Sequence, residues 1–153
     1  MITNLQIEPA TLDDMPQMAD LLIELFSAER DFIPNRKNHL RGLQLILEQP
    51  NRGRIFVLRN EKRIIGMINL LITISTAEGG FVLILEDLVI QKDHQNQGYG
   101  SRLVEFAEKY AIEKKFLRLT LLTDIPNPRA KSFFLRHGFF ESDMIPMRKY
   151  FRQ

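Results

Sequence analysis

The fold is decided by the stretch Leu85-Glu86-Asp87-Leu88-Val89-Ile90-Gln91-Lys92-Asp93-His94-Gln95-Asn96-Gln97-Gly98-Tyr99-Gly100-Ser101. Its first six residues are mostly apolar and branched, which predicts a β-strand. The apolar residues that follow recur at helical spacing and predict an amphipathic helix; they are Leu103, Phe106, Ala107, Tyr110 and Ala111. Residues 117–122 predict the next strand. A strand, a helix and a strand in this order predict a right-handed βαβ unit whose two strands are parallel.

The rest of the chain predicts elements that pack around this unit. The expected order is β-α-α-β-β-β-α-β-α-β, over residues 5–8, 15–26, 40–47, 54–59, 64–74, 81–90, 103–111, 117–122, 129–136 and 139–151. Short turns join the early strands, which should therefore be antiparallel. Gly138 should end the last helix, and Pro146 should interrupt the last strand. We expect an α/β fold of the α+β, three-layer kind, with a mixed, mostly antiparallel sheet, a central parallel βαβ unit and helices on both faces.

Composition excludes several classes of protein. The chain has 153 residues, 44% of them hydrophobic, which suits a single domain over residues 1–153. The absence of Cys excludes a disulfide framework, a thiolate–zinc site and a Cys-acyl intermediate. A net charge of +2 is only a weak signal for nucleic acid. No signal peptide and no membrane-spanning apolar run is visible, so we expect a cytoplasmic protein with no membrane partner.

Residues 95–101 predict a site for an anion. They follow a strand and open a helix, so backbone N–H groups and the helix dipole converge where a phosphate could bind. Gly98 and Gly100 would let an anion approach the backbone without a Cβ in the way. An ordinary βα turn that contains two glycines is an equal alternative on spacing alone. The Walker motif is absent, and Leu103 stands where a dinucleotide-binding motif needs its third glycine.

Three segments together resemble the GNAT superfamily of N-acetyltransferases. They are residues 85–90, the motif Gln95-x-x-Gly98-x-Gly100, and the later motif Asn127-x-x-Ala130-x-x-Phe133-x-x-x-x-Gly138-Phe139. The order of the elements extends the resemblance to the whole chain. The resemblance implies the acyl-CoA N-acyltransferase (GNAT) fold and an enzyme that transfers the acetyl group of acetyl-CoA to a primary amine.

The resemblance also implies roles for individual residues. The pyrophosphate of acetyl-CoA would bind at Gln95, Asn96, Gln97, Gly98, Tyr99, Gly100 and Ser101. Its pantetheine arm would follow the backbone of Leu88, Val89 and Ile90, where one N–H would polarise the thioester carbonyl, a contribution of about 3 kcal/mol. Asn127 would contact the pantetheine or an ordered water. No metal is implied, and the three histidines lack the spacing of metal ligands.

A general base is required, because an amine substrate arrives protonated and must lose a proton before it attacks. The resemblance favours Glu86, which would act directly or through water. Asp87 is the alternative, since adjacent residues of a regular strand face opposite ways. A structural role for Glu86 is a third interpretation. Phe134 stands where many members have the Tyr that protonates the departing thiolate, so here water or a stabilised thiolate would have to suffice.

We expect direct attack within a ternary complex, because no Cys can carry the acetyl group. One rival is a non-catalytic module that senses acyl-CoA, motivated by Phe134. Another is a basic nucleic-acid-binding domain, motivated by the charged residues 148–152. The expected acceptor is a small-molecule amine or a peptide or protein amine, with no nucleic acid as partner. Glu24, Glu29 and Asp31 could attract a cationic amine, and a homodimer is expected by analogy with the family.

Overall fold

A computed structural model describes residues 4–151 of the chain. Its helices and strands are, in chain order, β1 (Leu5–Pro9), α1 (Met15–Ala28), α2 (Arg36–Leu47), β2 (Gly53–Asn60), β3 (Arg63–Ser75), β4 (Gly80–Ile90), α3 (Tyr99–Glu113), β5 (Leu119–Leu121) and α4 (Pro128–Arg136). Single-turn 3-10 helices at Leu12–Asp14 and Lys92–His94 precede α1 and α3. This order confirms the prediction as far as α4.

The five strands form one mixed sheet in the order β1-β2-β3-β4-β5. The first three pairings are antiparallel, as expected for strands joined by short turns. β4 and β5 are parallel, with Leu83 opposite Leu119 and Leu85 opposite Leu121. The strand–helix–strand unit predicted from the sequence is therefore confirmed, although β5 is shorter than the predicted residues 117–122.

Helices cover both faces of the sheet, because the strand residues are apolar on both sides. Ile55, Val57 and Met67 pack with buried residues of α1 and α2. The alternate residues Phe56 and Leu58 pack on the other face with Leu103 and Ala107 of α3, as alternation along a strand requires. The three-layer arrangement expected from the sequence is confirmed.

The prediction of a final strand at residues 139–151 is wrong. These residues form no helix or strand, and the large apolar side chains after Phe139 are exposed. Strand-forming residues make a strand only where a partner backbone is in reach, and this segment pairs with none of the described strands. Two ion pairs connect the segment to the rest of the chain. One joins Lys131 and Glu141 (2.8 Å), and the other joins Asp31 and Arg148 (2.6 Å).

The start of α1 is fixed by a buried carboxylate. Asp14 accepts a hydrogen bond from the backbone N–H of Thr11 (2.9 Å) and two from the guanidinium of Arg59 (2.8 and 3.0 Å). Arg59 also contacts Glu8 at 2.5 Å, so one guanidinium joins β1, β2 and the turn before α1. Burial raises the pKa of Asp14, but the hydrogen bonds from Arg59 and Thr11 outweigh it and hold the pKa below its ordinary value.

Replacing Asp14 by Asn should lower the free energy of unfolding by roughly 3 kcal/mol, because Arg59 then keeps a mostly buried charge with one partner fewer. Since the pKa of Asp14 is lower in the folded than in the unfolded state, its stabilisation is present above the ordinary value of 3.8 and is lost as the pH falls through the lowered folded pKa. Urea unfolding at neutral and acidic pH measures both effects. Asp13→Asn, an exposed change in the same turn, is the control, and equal losses in the two variants would contradict the prediction.

Candidate active site

A bulge in β4 places Glu86 where the sheet is irregular. Asp87 pairs with Asn69 of β3, whereas Leu85 pairs with the next residue, Leu70, so Glu86 is the extra residue of β4. A bulge of this kind bends the strand and turns a side chain out of the regular alternation. Glu86 is accordingly exposed, while its neighbour Asp87 is buried.

The edge of β4 beyond the bulge is open. The parallel pairing with β5 ends at Leu85 and Leu121, while β4 continues to Ile90. Among the described residues, no strand pairs with residues 86–90 on that side. Because unpaired backbone N–H and C=O groups require partners, this edge can bind an extended polar chain. The segment predicted to bind pantetheine, residues 88–90, lies along it.

The loop between β4 and α3 turns sharply before the helix starts. Gly98 has a φ of +83°, a left-handed conformation that favours glycine, and a Cβ there would meet no atom within 4 Å. Asn96 also has a positive φ, of +63°. The side-chain amide of Gln95 donates a hydrogen bond to the backbone carbonyl of Ile90 (3.0 Å), which stabilises the loop. The free N–H groups of the first turn of α3 follow directly.

A cavity of about 280 Å³ lies at this helix start. Its lining includes Ile90 and six of the seven residues predicted in the loop, namely Gln95, Asn96, Gly98, Tyr99, Gly100 and Ser101. The remaining predicted residues, Gln97, Leu88, Val89 and Asn127, do not line it. Most of the residues predicted in the loop therefore line one concave site.

Sequence reasoning missed four residues that line the cavity, namely His94, Arg129, Phe133 and Arg136. Arg129 donates a hydrogen bond to the side-chain oxygen of Asn96, which ties α4 to the loop. Arg129 and Arg136 are seven residues apart, or two helical turns, so one face of α4 carries both. This spacing is the signal in the sequence from which the two arginines could have been predicted to share a face. Two guanidinium groups and a helix N-terminus give the cavity a positive character that favours an anion.

Gly100 lines the cavity and lies within α3. A Cβ on it would lie 3.4 Å from the Phe133 ring, an ordinary van der Waals distance, so α3 and α4 are in contact at this position. A second contact between the two helices joins Ser101 Oγ and His137 Nε2 at 2.9 Å.

Asn127 begins α4. Its side-chain oxygen accepts a hydrogen bond from the N–H of Ala130 (3.1 Å), the usual arrangement of a helix N-cap. Phe134 of the same helix packs against the rings of Phe133 and Phe139 and contacts the core under α3. Asn127 thus fixes where α4 starts, and the contact expected with a cofactor stays a prediction.

Asp87 is the buried member of the acidic pair. It accepts a hydrogen bond from the Asn69 amide (2.9 Å), and burial raises its pKa to about 6, with a smaller contribution from Glu86. Asn69 lowers the pKa but does not offset the burial. A carboxyl group with such a pKa can hold or release a proton near neutral pH.

Glu29, at the C-terminal end of α1, is a third carboxyl group near the bulge. Its pKa is raised to about 7, chiefly by burial and then by the charges of Asp124, Asp87, Glu86 and Asp31, in that order of effect. These carboxyl groups therefore lie near the bulge. The two arginines line the cavity at Ile90, where β4 ends.

Residues 4–151 contain neither a membrane-spanning helix nor a cluster of metal ligands. No helix there has the length and apolar character needed to cross a membrane. No group of three or more His, Asp or Glu side chains in that range is arranged to hold a metal ion.

Comparison with known proteins agrees with this geometry. The model of the acetyltransferase (GNAT) family matches residues 15–139. An aminoalkylphosphonate N-acetyltransferase of Salmonella typhimurium is 28% identical over 137 residues, which are 90% of this chain and 86% of that protein.

Solved structures share the fold at low sequence identity. A possible acetyltransferase from Clostridium difficile 630 superposes with a TM-score of 0.88 at 15% identity, over 99% of this chain and 100% of that one. The aminoglycoside N-acetyltransferase AAC(6')-Iy, solved in complex with CoA, gives a TM-score of 0.79 at 15% identity, over 96% and 95% of the two chains.

If the cavity is an anion site, inorganic pyrophosphate should bind to it and raise the melting temperature. Arg129→Ala should weaken the binding about tenfold, because charge-assisted hydrogen bonds to the anion are lost. Isothermal titration calorimetry measures the affinity. Arg41→Ala, an exposed change on α2, is the control. Equal affinities for wild type and Arg129→Ala would contradict the assignment.

Proposed function

The chain belongs to the GNAT family of acetyltransferases, and from this premise we propose that it transfers the acetyl group of acetyl-CoA to a primary amine by direct attack in a ternary complex. The observation that carries the proposal is the cavity at the start of α3, where Arg129, Arg136 and the loop surround a space for an anion. The open edge of β4 leads from that cavity to the carboxyl groups. A solved structure of the same fold, AAC(6')-Iy, holds CoA.

In this proposal the pyrophosphate of acetyl-CoA occupies the cavity. The start of α3 and the two guanidinium groups neutralise its charge. The pantetheine amides hydrogen-bond with those backbone groups of residues 88–90 that face away from β3, and one N–H there stabilises the oxyanion that develops on the thioester carbonyl, a contribution of about 3 kcal/mol. The unpaired edge of β4 supports this path.

We propose Glu86 as the general base. It is exposed on the bulge, beside the predicted path of the thioester, and an incoming ammonium group can lose its proton to it directly or through water. Asp87 is the alternative, because its raised pKa suits proton exchange, but its carboxyl group is buried and bonded to Asn69. After deprotonation the amine nitrogen bonds to the acetyl carbon, the C–S bond breaks, and the nitrogen loses its second proton to water.

Phe134 cannot protonate the departing thiolate, and its ring is engaged in the contacts with Phe133 and Phe139. We propose that water supplies the proton. The alternative function, an acyl-CoA sensor without turnover, rests on this missing acid. The carboxyl groups beside the bulge favour the enzyme, since a sensor needs no base.

The proposal extends to the domain organisation, oligomeric state, location and acceptor of the protein. We propose that residues 1–153 form a single N-acetyltransferase domain, which the single sheet supports. A homodimer is supported by the exposed apolar side chains of the tail, including Phe140, Ile145 and Phe151. We also propose a cytoplasmic location and the absence of a nucleic-acid partner and of a metal. The acceptor is a small-molecule amine or a peptide or protein amine, and the similar proteins include an aminoalkylphosphonate N-acetyltransferase and an aminoglycoside N-acetyltransferase.

Thiol release from acetyl-CoA with a panel of amines tests the function, and Glu86→Gln tests the base. The substitution keeps the size of the side chain but removes its basicity, so turnover should fall by roughly 10²–10⁴-fold. The loss should shrink at high pH, where more of the amine is already neutral. Acetyl-CoA affinity should hardly change. Full activity in this variant would exclude the role, and Asp87→Asn would then be the next test.

Phe134→Tyr tests whether the departing thiolate needs a proton donor from the protein. We expect turnover to stay within about threefold of wild type, because water already supplies the proton and a hydroxyl group must be fitted into a packed aromatic contact. The pH profile of turnover and the melting temperature are measured together. A large gain in rate, or a shifted alkaline limb at unchanged stability, would show that leaving-group protonation limits the reaction.

A further inference from the structure

A side-chain contact joins the wall of the cavity at the start of α3 to the end of α4. Ser101, in the first turn of α3, lines the cavity, and its Oγ lies 2.9 Å from Nε2 of His137. His137 comes directly after α4 and does not itself line the cavity. The imidazole can therefore act on a ligand in the cavity through the hydroxyl group of the serine.

The position of the His137 ring is fixed by further contacts. Its centroid lies 4.8 Å from the centroid of the Phe133 ring, and Phe133 also lines the cavity. The backbone N–H of His137 donates to the carbonyl of Phe134 (3.0 Å), and Gly138 follows with a φ of +87°, which ends the helix. A ring anchored in this way can fix the orientation of a hydroxyl group that would otherwise rotate.

The direction of the hydrogen bond determines what Ser101 can offer an anion. A serine hydroxyl group has one proton to donate and two lone pairs that accept. If Ser101 donates to His137, it presents only lone pairs to the cavity, and these repel an anion. If His137 donates from Nε2, the proton of Ser101 can bond to the anion. The neutral ring with its proton on Nε2 and the imidazolium can both donate in this way.

The charges around the cavity favour the second direction. Arg129 and Arg136 line the cavity together with the N-terminal end of α3, so an anion bound there meets donors from both helices. The proton of Ser101 rotates to suit its partners, and a hydrogen bond to a charged acceptor is stronger than one to a neutral ring. An anion in the cavity therefore favours the arrangement in which His137 donates to Ser101 and Ser101 donates to the anion.

We propose that His137 is a positioning residue of the anion site. Its Nε2–H donates to Ser101 Oγ and so directs the proton of Ser101 at the anion. The inference rests on the proposed function, because the anion is then the pyrophosphate of acetyl-CoA. His137 touches no part of the ligand, and its whole effect on binding passes through Ser101.

A double-mutant cycle with inorganic pyrophosphate tests this coupling by isothermal titration calorimetry. Ser101→Ala should weaken binding about tenfold, because a charge-assisted hydrogen bond is lost. His137→Leu should weaken it about threefold, because the hydroxyl group can then take any of three staggered orientations. In the Ser101→Ala background His137→Leu should have no further effect. Ser132→Ala, an exposed change on α4, is the matched control.

A further loss from His137→Leu in the Ser101→Ala background would overturn the inference, since His137 would then act by another route. Equal affinities of wild type and Ser101→Ala would overturn it too, as would a wild-type protein that does not bind pyrophosphate.

Two measurements separate positioning from a simple tie between α3 and α4. His137→Gln places an amide N–H the same number of bonds from the backbone as Nε2, so it should keep the wild-type affinity for pyrophosphate within about twofold. Nitrogen NMR distinguishes a ring nitrogen that carries a proton from one that does not. We expect a proton on Nε2 of His137 in the pyrophosphate complex, with His137→Gln used to assign the signal. An Nε2 without a proton would leave only the tie and overturn the inference.

Steady-state kinetics separate the inference from the proposed function. Ser101→Ala should raise KM for acetyl-CoA several-fold with little change in kcat, because the contact is the same in the ground state and the transition state. If no amine releases thiol while the pyrophosphate affinities follow the cycle, the function fails and the role of His137 stands. If thiol is released and pyrophosphate binds wild type and Ser101→Ala equally, the role of His137 fails and the function stands.

Discussion

The geometry of the candidate site depends on the separation of β4 from β5. The two strands pair as far as Leu85 and Leu121, and there the bulge at Glu86 bends β4 away. This separation leaves one edge of residues 88–90 without a partner strand, and Glu86 is exposed where it begins. A continuous parallel sheet with the same residues would have its backbone hydrogen bonds satisfied and would have no edge for an extended ligand.

The charges of the site are divided between the two ends of this open edge. Arg129 and Arg136 line the cavity beyond Ile90, where the start of α3 also favours an anion. The carboxyl groups lie at the bulge, on the side toward the end of α1. Three residues of a strand, about 10 Å, separate Asp87 from Ile90. Such a separation lets one ligand that is anionic and another that is cationic bind side by side without competing.

Two elements show what limits prediction from sequence. The strand-forming residues 139–151 are unpaired, because a strand depends on a partner that the local sequence does not specify. Arg129 and Arg136 look like ordinary solvent-facing charges of a short helix until α4 is placed beside the loop.

The sequence by itself determined the order of elements as far as α4, the parallel pairing of β4 with β5 and the loop at residues 95–101. These follow from hydrophobic periodicity, turn residues and a glycine motif, which act over a few residues. Only the tertiary structure decided that Asp87 is buried against Asn69 while Glu86 is exposed, that Glu29 lies near both, and that two arginines of α4 face the loop. Burial, pKa and charge complementarity depend on distances between residues remote in sequence, and folding alone sets those distances.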